Sequence, residues 1–139
     1  MQQRDYILRM IEQLGAALVQ LRKMIFGGAS AETVRAEMLA TARNGGIDLE
    51  LARLASPDTL VALISVGKEL EPTQCWLTAE LLYLDGLEAE VAGDAEATRR
   101  SFEKALRLFS LLEPAGAFLV GWPEAGERAE EIRLKLAAM

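Results

Sequence analysis

The chain has 139 residues, a length that fits one domain with a core needing neither disulfides nor metal. Half of the residues are apolar and aromatics are few; Leu, Ala and Val dominate beside Glu, Arg and Lys, a mix that points to an all-helical protein. A formal net charge of −6 disfavours partnership with nucleic acid or an anionic membrane surface, because phosphates demand concentrated Lys and Arg.

Further classes are excluded by what the chain lacks. It has no histidine, which removes the commonest general base and the commonest metal ligand together. The lone Cys75 has no partner for an internal disulfide, and the opening residues show no secretory pattern. The longest apolar run is five residues, far short of the roughly 20 that span a bilayer. A cytoplasmic protein is expected.

A first long amphipathic helix falls within residues 1–28, from about Gln3 to Phe26. Ile7, Ile11, Leu14, Leu18, Leu21 and Ile25 form a heptad-like seam, widened by Met10, Ala17 and Met24. Gly15 is its weak point, and Gly27-Gly28 stops it. Ser30 caps a second helix that carries Val34, Met38 and Leu39 and closes at Asn44-Gly45-Gly46. Asp48 opens a short third helix through Leu54. Ser56-Pro57 starts a fourth, expected to run through Leu60, Leu63, Ile64 and Gly67 to about Glu69. Glu71-Pro72-Thr73 opens a fifth helix, which ends near Ala92. Asp94 caps a sixth, ending before Pro114. An apolar connection, PAGAFLVGWPE, leads to a last helix from about Ala125. In it Trp122, with Phe118, Leu119 and Val120, is expected to fold back on the bundle or to present a contact patch. The sum is an all-α bundle of six or seven helices in a single domain, residues 1–139.

Within residues 72–112 the spacing of Gly86, Gly93, Phe102 and Ala105 resembles the tetratricopeptide repeat, whose two helices meet at small residues across a glycine turn. The likeness covers residues 79–112. Thr98 stands where alanine is usual, and Ser110 where the closing proline is usual. Leu60, Ile64, Gly67 and Pro72 echo half of another unit. The resemblance implies a helical hairpin whose concave face carries Glu80, Tyr83, Leu87 and Glu90. Those residues suit an apolar or basic helix, and the first helix of the chain is itself one candidate occupant.

The N-terminal pattern of Asp5, Tyr6, Ile7, Arg9, Ile11, Glu12 and Leu14 resembles the opening of a family of small uncharacterised bacterial helical proteins. Members end in a hairpin similar to residues 77–112. That resemblance implies a fold and carries no established activity.

Catalytic chemistry finds no constellation. Acids gather at Glu69/Glu71, Glu88/Glu90 and Glu127/Glu130/Glu131, but they lie among cations on polar helix faces. Glu96–Arg100, Arg99–Glu103, Glu103–Arg107 and Glu131–Lys135 have the spacing of ordinary surface pairs. Cys75, beside Trp76, reads as a small core residue. No glycine-rich loop precedes Lys-Ser/Thr, so no phosphate cradle is present. No catalytic residue, cofactor or metal site is therefore expected. The expected function is a non-catalytic interaction or scaffold module acting by helix-in-groove recognition of a helical peptide or protein. A homodimer is expected through a seam of Ile7, Met10, Leu14, Leu18 and Leu21. The alternative is a small-molecule-binding regulator with an apolar interhelical pocket.

Overall fold

The computed structural model describes residues 2–67, 69–112 and 125–139. Capping chemistry sets most of the helix starts. Ser30 accepts from the Thr33 amide (3.1 Å) to open α2 (Ala31–Asn44), which follows α1 (Gln2–Phe26). Asp48 accepts from Leu51 (3.1 Å) to open α3 (Leu49–Leu54), and Ser56 from Thr59 (3.2 Å) to open α4 (Pro57–Leu63). Glu71 accepts from Gln74 (2.7 Å) at the start of α5 (Pro72–Ala92). Gly93 turns the chain in the left-handed region, and Asp94 accepts from Ala97 (3.1 Å) to open α6 (Ala95–Leu112). The last helix, α7, spans Ala125–Ala137. The described residues thus form an all-α bundle of seven helices.

One segment departs from the expected pattern. The fourth helix stops at Leu63 instead of running to about Glu69, and two short strands follow, β1 (Ser65–Val66) and β2 (Glu69–Leu70). They pair antiparallel, Ser65 with Leu70 and Val66 with Glu69. Gly67 sits between them at φ +66°, a backbone that side chains resist and that a helix never uses. The Ser65 hydroxyl also bonds back to the Val61 carbonyl (2.7 Å), competing with continuation of the helix. The half-repeat echo of Leu60, Ile64, Gly67 and Pro72 therefore straddles a turn.

The central element is α5. From Cys75 to Leu87 every residue but Asp85 is buried, as expected of a helix apolar on all sides and enclosed by others. It packs against α1, α2, α3 and α6, while α7 lies on α6. Gly86 lets the α6 helix approach, with Phe102 filling the space where a Cβ would stand.

The seam of α1 faces this core. Ile11, Leu14, Leu18, Leu21 and Ile25 are buried within the chain's own cluster. Leu14, Leu18 and Leu21 of the expected homodimer seam fill the core of their own chain, where α1 packs against α5 and α2. Met10 is half-buried against the same core, and the Ile7 side chain lies outside the described residues. Pro114, Phe118, Leu119, Val120 and Trp122 also lie outside them.

Candidate functional site

The α5–α6 hairpin has two faces, and they differ sharply. The face expected to be a concave groove is occupied. Tyr83 is fully buried, with the guanidinium groups of Arg22 and Arg128 at 5.6 and 5.0 Å from its ring centre. Its hydroxyl accepts from Arg22 (2.6 Å) and donates to the Glu131 carboxylate. Arg22 and Glu131 approach to 3.7 Å. Glu80, also buried, pairs with Arg128 at 3.5 Å, and Glu90 accepts from Lys135 at 2.9 Å. Leu87 is fully buried.

The four expected groove residues thus share one face, but the face is not an open groove. Its occupants are α7 and the end of α1. Arg128, Glu131 and Lys135 are spaced three and four residues apart, so one side of α7 meets Glu80, Tyr83 and Glu90 in turn. Burial first, and then the hydrogen bond to Glu131, push the Tyr83 phenol well above its ordinary value. The hydroxyl is a neutral structural donor. This arrangement also overturns the expected Glu131–Lys135 and Glu103–Arg107 surface pairs. Glu131 and Lys135 turn to α5, and Arg107 bonds Asp58 instead (3.3 Å).

The other face is open to solvent. A cleft of about 640 Å³ lies between α3 and the α5–α6 hairpin, with Arg35 of α2 at its edge. Asp85, the one residue of the Cys75–Leu87 stretch of α5 that is not buried, carries a carboxylate at the edge of this apolar helix and calls for a cation there. Arg53 supplies it through two hydrogen bonds of 2.8 and 2.9 Å. The hydrogen bond to Asp85 raises the Arg53 value further, against desolvation by burial. Lys104 reaches across from α6 and donates to the carbonyls of Arg53 (2.6 Å) and Ala52 (3.3 Å), closing the end of α3. Burial lowers its affinity for the proton, with Arg100 adding to the effect.

Glu88 also lines the cleft. Burial first, and the neighbouring Asp85 second, raise its pKa, while Arg35 and Arg53 act in the opposite sense. The Glu88/Glu90 pair of the sequence is therefore split: Glu88 faces the cleft and Glu90 faces α7. Arg35 and Arg100 line the cleft with no hydrogen bond or ion pair among the described residues. Arg100 does not take up the expected pairing with Glu96.

The cleft therefore holds two fixed cations and two uncommitted guanidinium groups, with carboxylates between them. That set is suited to recognising charged groups of a ligand. Sequence spacing alone did not single out Arg53, Asp85 or Lys104. One signal for them was available, a carboxylate inside the apolar run of α5, since a charge drawn into an apolar helix demands a partner. Cys75 lies apart from both faces. It is fully buried and donates to the Leu108 carbonyl (3.4 Å); burial, and then Glu71, push its thiol up to about 12. It has the setting of an inert core thiol.

A scan against protein-family models, a search of the curated proteins and a search of the solved structures each give no match. The chemistry of the cleft rests on its own geometry.

Proposed function

We propose that the chain is a non-catalytic protein-interaction module, and that an acidic segment of its partner docks in the charged cleft. The observation that carries this reading is the pair of guanidinium groups, Arg35 and Arg100, lining the cleft without partners among the described residues. Charged groups on an interaction face steer encounter and select partners of opposite sign, and guanidinium forks favour carboxylates. The occupied state of the other face supports the same reading. With α7 seated on Glu80, Tyr83 and Glu90, helix-in-groove binding there would require displacing part of the fold. Residues 79–112 also carry the small-residue spacing that resembles a tetratricopeptide hairpin, a unit associated with protein contacts.

The test is affinity capture from native host extract with wild-type protein, an Arg35→Glu/Arg100→Glu variant and an Arg9→Glu control on exposed α1. A partner captured by wild type and control, and lost from the cleft variant, supports the reading. So does weakening with added salt, since exposed charge pairs are screened. A partner held equally by all three proteins would place the interaction elsewhere and overturn the assignment of the cleft.

A further inference from the structure

The outward side of α1 carries a second apolar row, apart from the one that fills the core. Leu8, Val19 and Phe26 are 42, 51 and 56 % exposed. With Gly15 they follow one another at intervals of seven, four and seven residues. That spacing holds them on one stripe of the helix, as in the seam of a coiled coil. The buried row of Leu14, Leu18 and Leu21 lies on a different side. The Phe26 ring is held in place, with the Arg22 guanidinium 5.6 Å from its centre. Gly15, inside the row, has nothing within 4 Å of where a Cβ would stand, so its backbone is open to an approaching helix. Two exposed charges, Glu12 and Lys23, flank the row along the same edge.

We propose that this row is the contact between two copies of the chain, which pack their α1 helices antiparallel about a two-fold axis at Ala17. Charge sets the direction. A parallel pair would set Glu12 against Glu12 and Lys23 against Lys23, whereas the antiparallel pair brings Glu12 of each copy to Lys23 of the other. Size agrees with the same register. Residues equally far from Ala17 on its two sides come together, so Leu8 meets Phe26 at each end of the contact. Val19 meets Gly15 beside the axis, where the missing side chain leaves it room. The row thus complements itself in charge and in size, the property a two-fold contact requires and an unrelated helix does not. The charged cleft is walled by α2, α3, α5 and α6, so the pairing stands whether or not a partner docks there.

The experiment is sedimentation equilibrium of the full chain over a range of protein concentrations, with wild type beside variants of exposed α1 residues. One helix pair is a small interface, so a reversible dimer with a dissociation constant of about 10–100 µM is expected. Val19→Glu sets a carboxylate into the apolar row and is expected to weaken the dimer at least about tenfold. Glu12→Lys and Lys23→Glu are each expected to weaken it about three- to tenfold, because each turns two attractive pairs into two repulsive ones. The double reversal, Glu12→Lys with Lys23→Glu, is expected to return affinity to within about twofold of wild type. A parallel pair would not respond in this way, since its single reversals exchange one like-charge contact for another. A monomer at every concentration up to about 1 mM overturns the inference. So does a Val19→Glu dimer as tight as wild type, or a double reversal no tighter than the single ones.

Discussion

Gly86 on α5 stands so close to Phe102 on α6 that a Cβ on the glycine would lie 2.3 Å from two ring carbons. The two helices meet there because one residue has no side chain and the other fills the space with a ring. We expect Gly86→Ala to destabilise the fold by about 1–3 kcal/mol, since aromatic and backbone must both move apart. Gly15, in the interior of α1, has nothing within 4 Å of such a Cβ. There the same substitution relieves the helix-propensity penalty, and a gain of up to about 1 kcal/mol is expected. Urea unfolding of the two variants should give shifts of opposite sign.

Tyr83 joins three helices through one hydroxyl. Removing it with Tyr83→Phe leaves Arg22 and Glu131 without their shared partner. Both are about a third exposed, so water compensates in part, and a loss of about 1–2 kcal/mol is expected. The raised phenol value predicts in addition that Tyr83 stays un-ionised as alkali is added until the fold itself opens. Ultraviolet absorbance should therefore show phenolate from Tyr83 only together with the loss of the folded state.

Glu88 makes stability fall with rising pH over a defined window. Its folded value lies above the ordinary 4.5, so the folded state holds the proton longer than the unfolded chain does. Its contribution is greatest at acid pH and is lost as pH rises from about 4.5 through the folded value, levelling off above it. Glu88→Gln should thus melt above wild type at neutral pH, and the difference should vanish on acidification. Equal melting differences at both pH values would contradict this assignment.

The Cys75 thiol, raised to about 12 by burial and then by Glu71, is almost wholly protonated at neutral pH as well as enclosed. Iodoacetamide should label it slowly in the folded protein and fast in denaturant, because the thiolate is the reactive species. Mass spectrometry of time points in the two conditions measures the ratio directly. Labelling at similar rates would show that α5 opens easily around Cys75.

Much of the fold was legible because its signals are local. A cap at Ser30, Asp48, Ser56 or Asp94 acts on amides two or three residues away, so sequence order nearly reveals it. The heptad-like rows of α1 followed from helical periodicity. The turn at Gly67 was missed because Leu60, Leu63 and Ile64 fit a helix equally well. The rejecting signal was a positive φ, which composition does not reveal.

Charges were the least legible. Spacing offered Glu131 to Lys135 and Glu103 to Arg107, whereas the fold brought Glu131 to the buried Tyr83 and Arg107 across to the exposed Asp58. Arg53 with Asp85, and Tyr83 with Glu131, are separated by 32 and 48 residues, and no local rule connects them. The apolar seam of Leu14, Leu18 and Leu21 likewise had two physically equivalent destinations, its own core or another copy. By itself the sequence determined most helix starts, a count of six or seven helices and the apolar faces, because these depend on neighbours a few residues away. The tertiary structure alone decided what each face covers, which carboxylate meets which cation, and which side of the hairpin stays open. Those outcomes depend on which distant surfaces exclude water together, and that is a property of the packed chain.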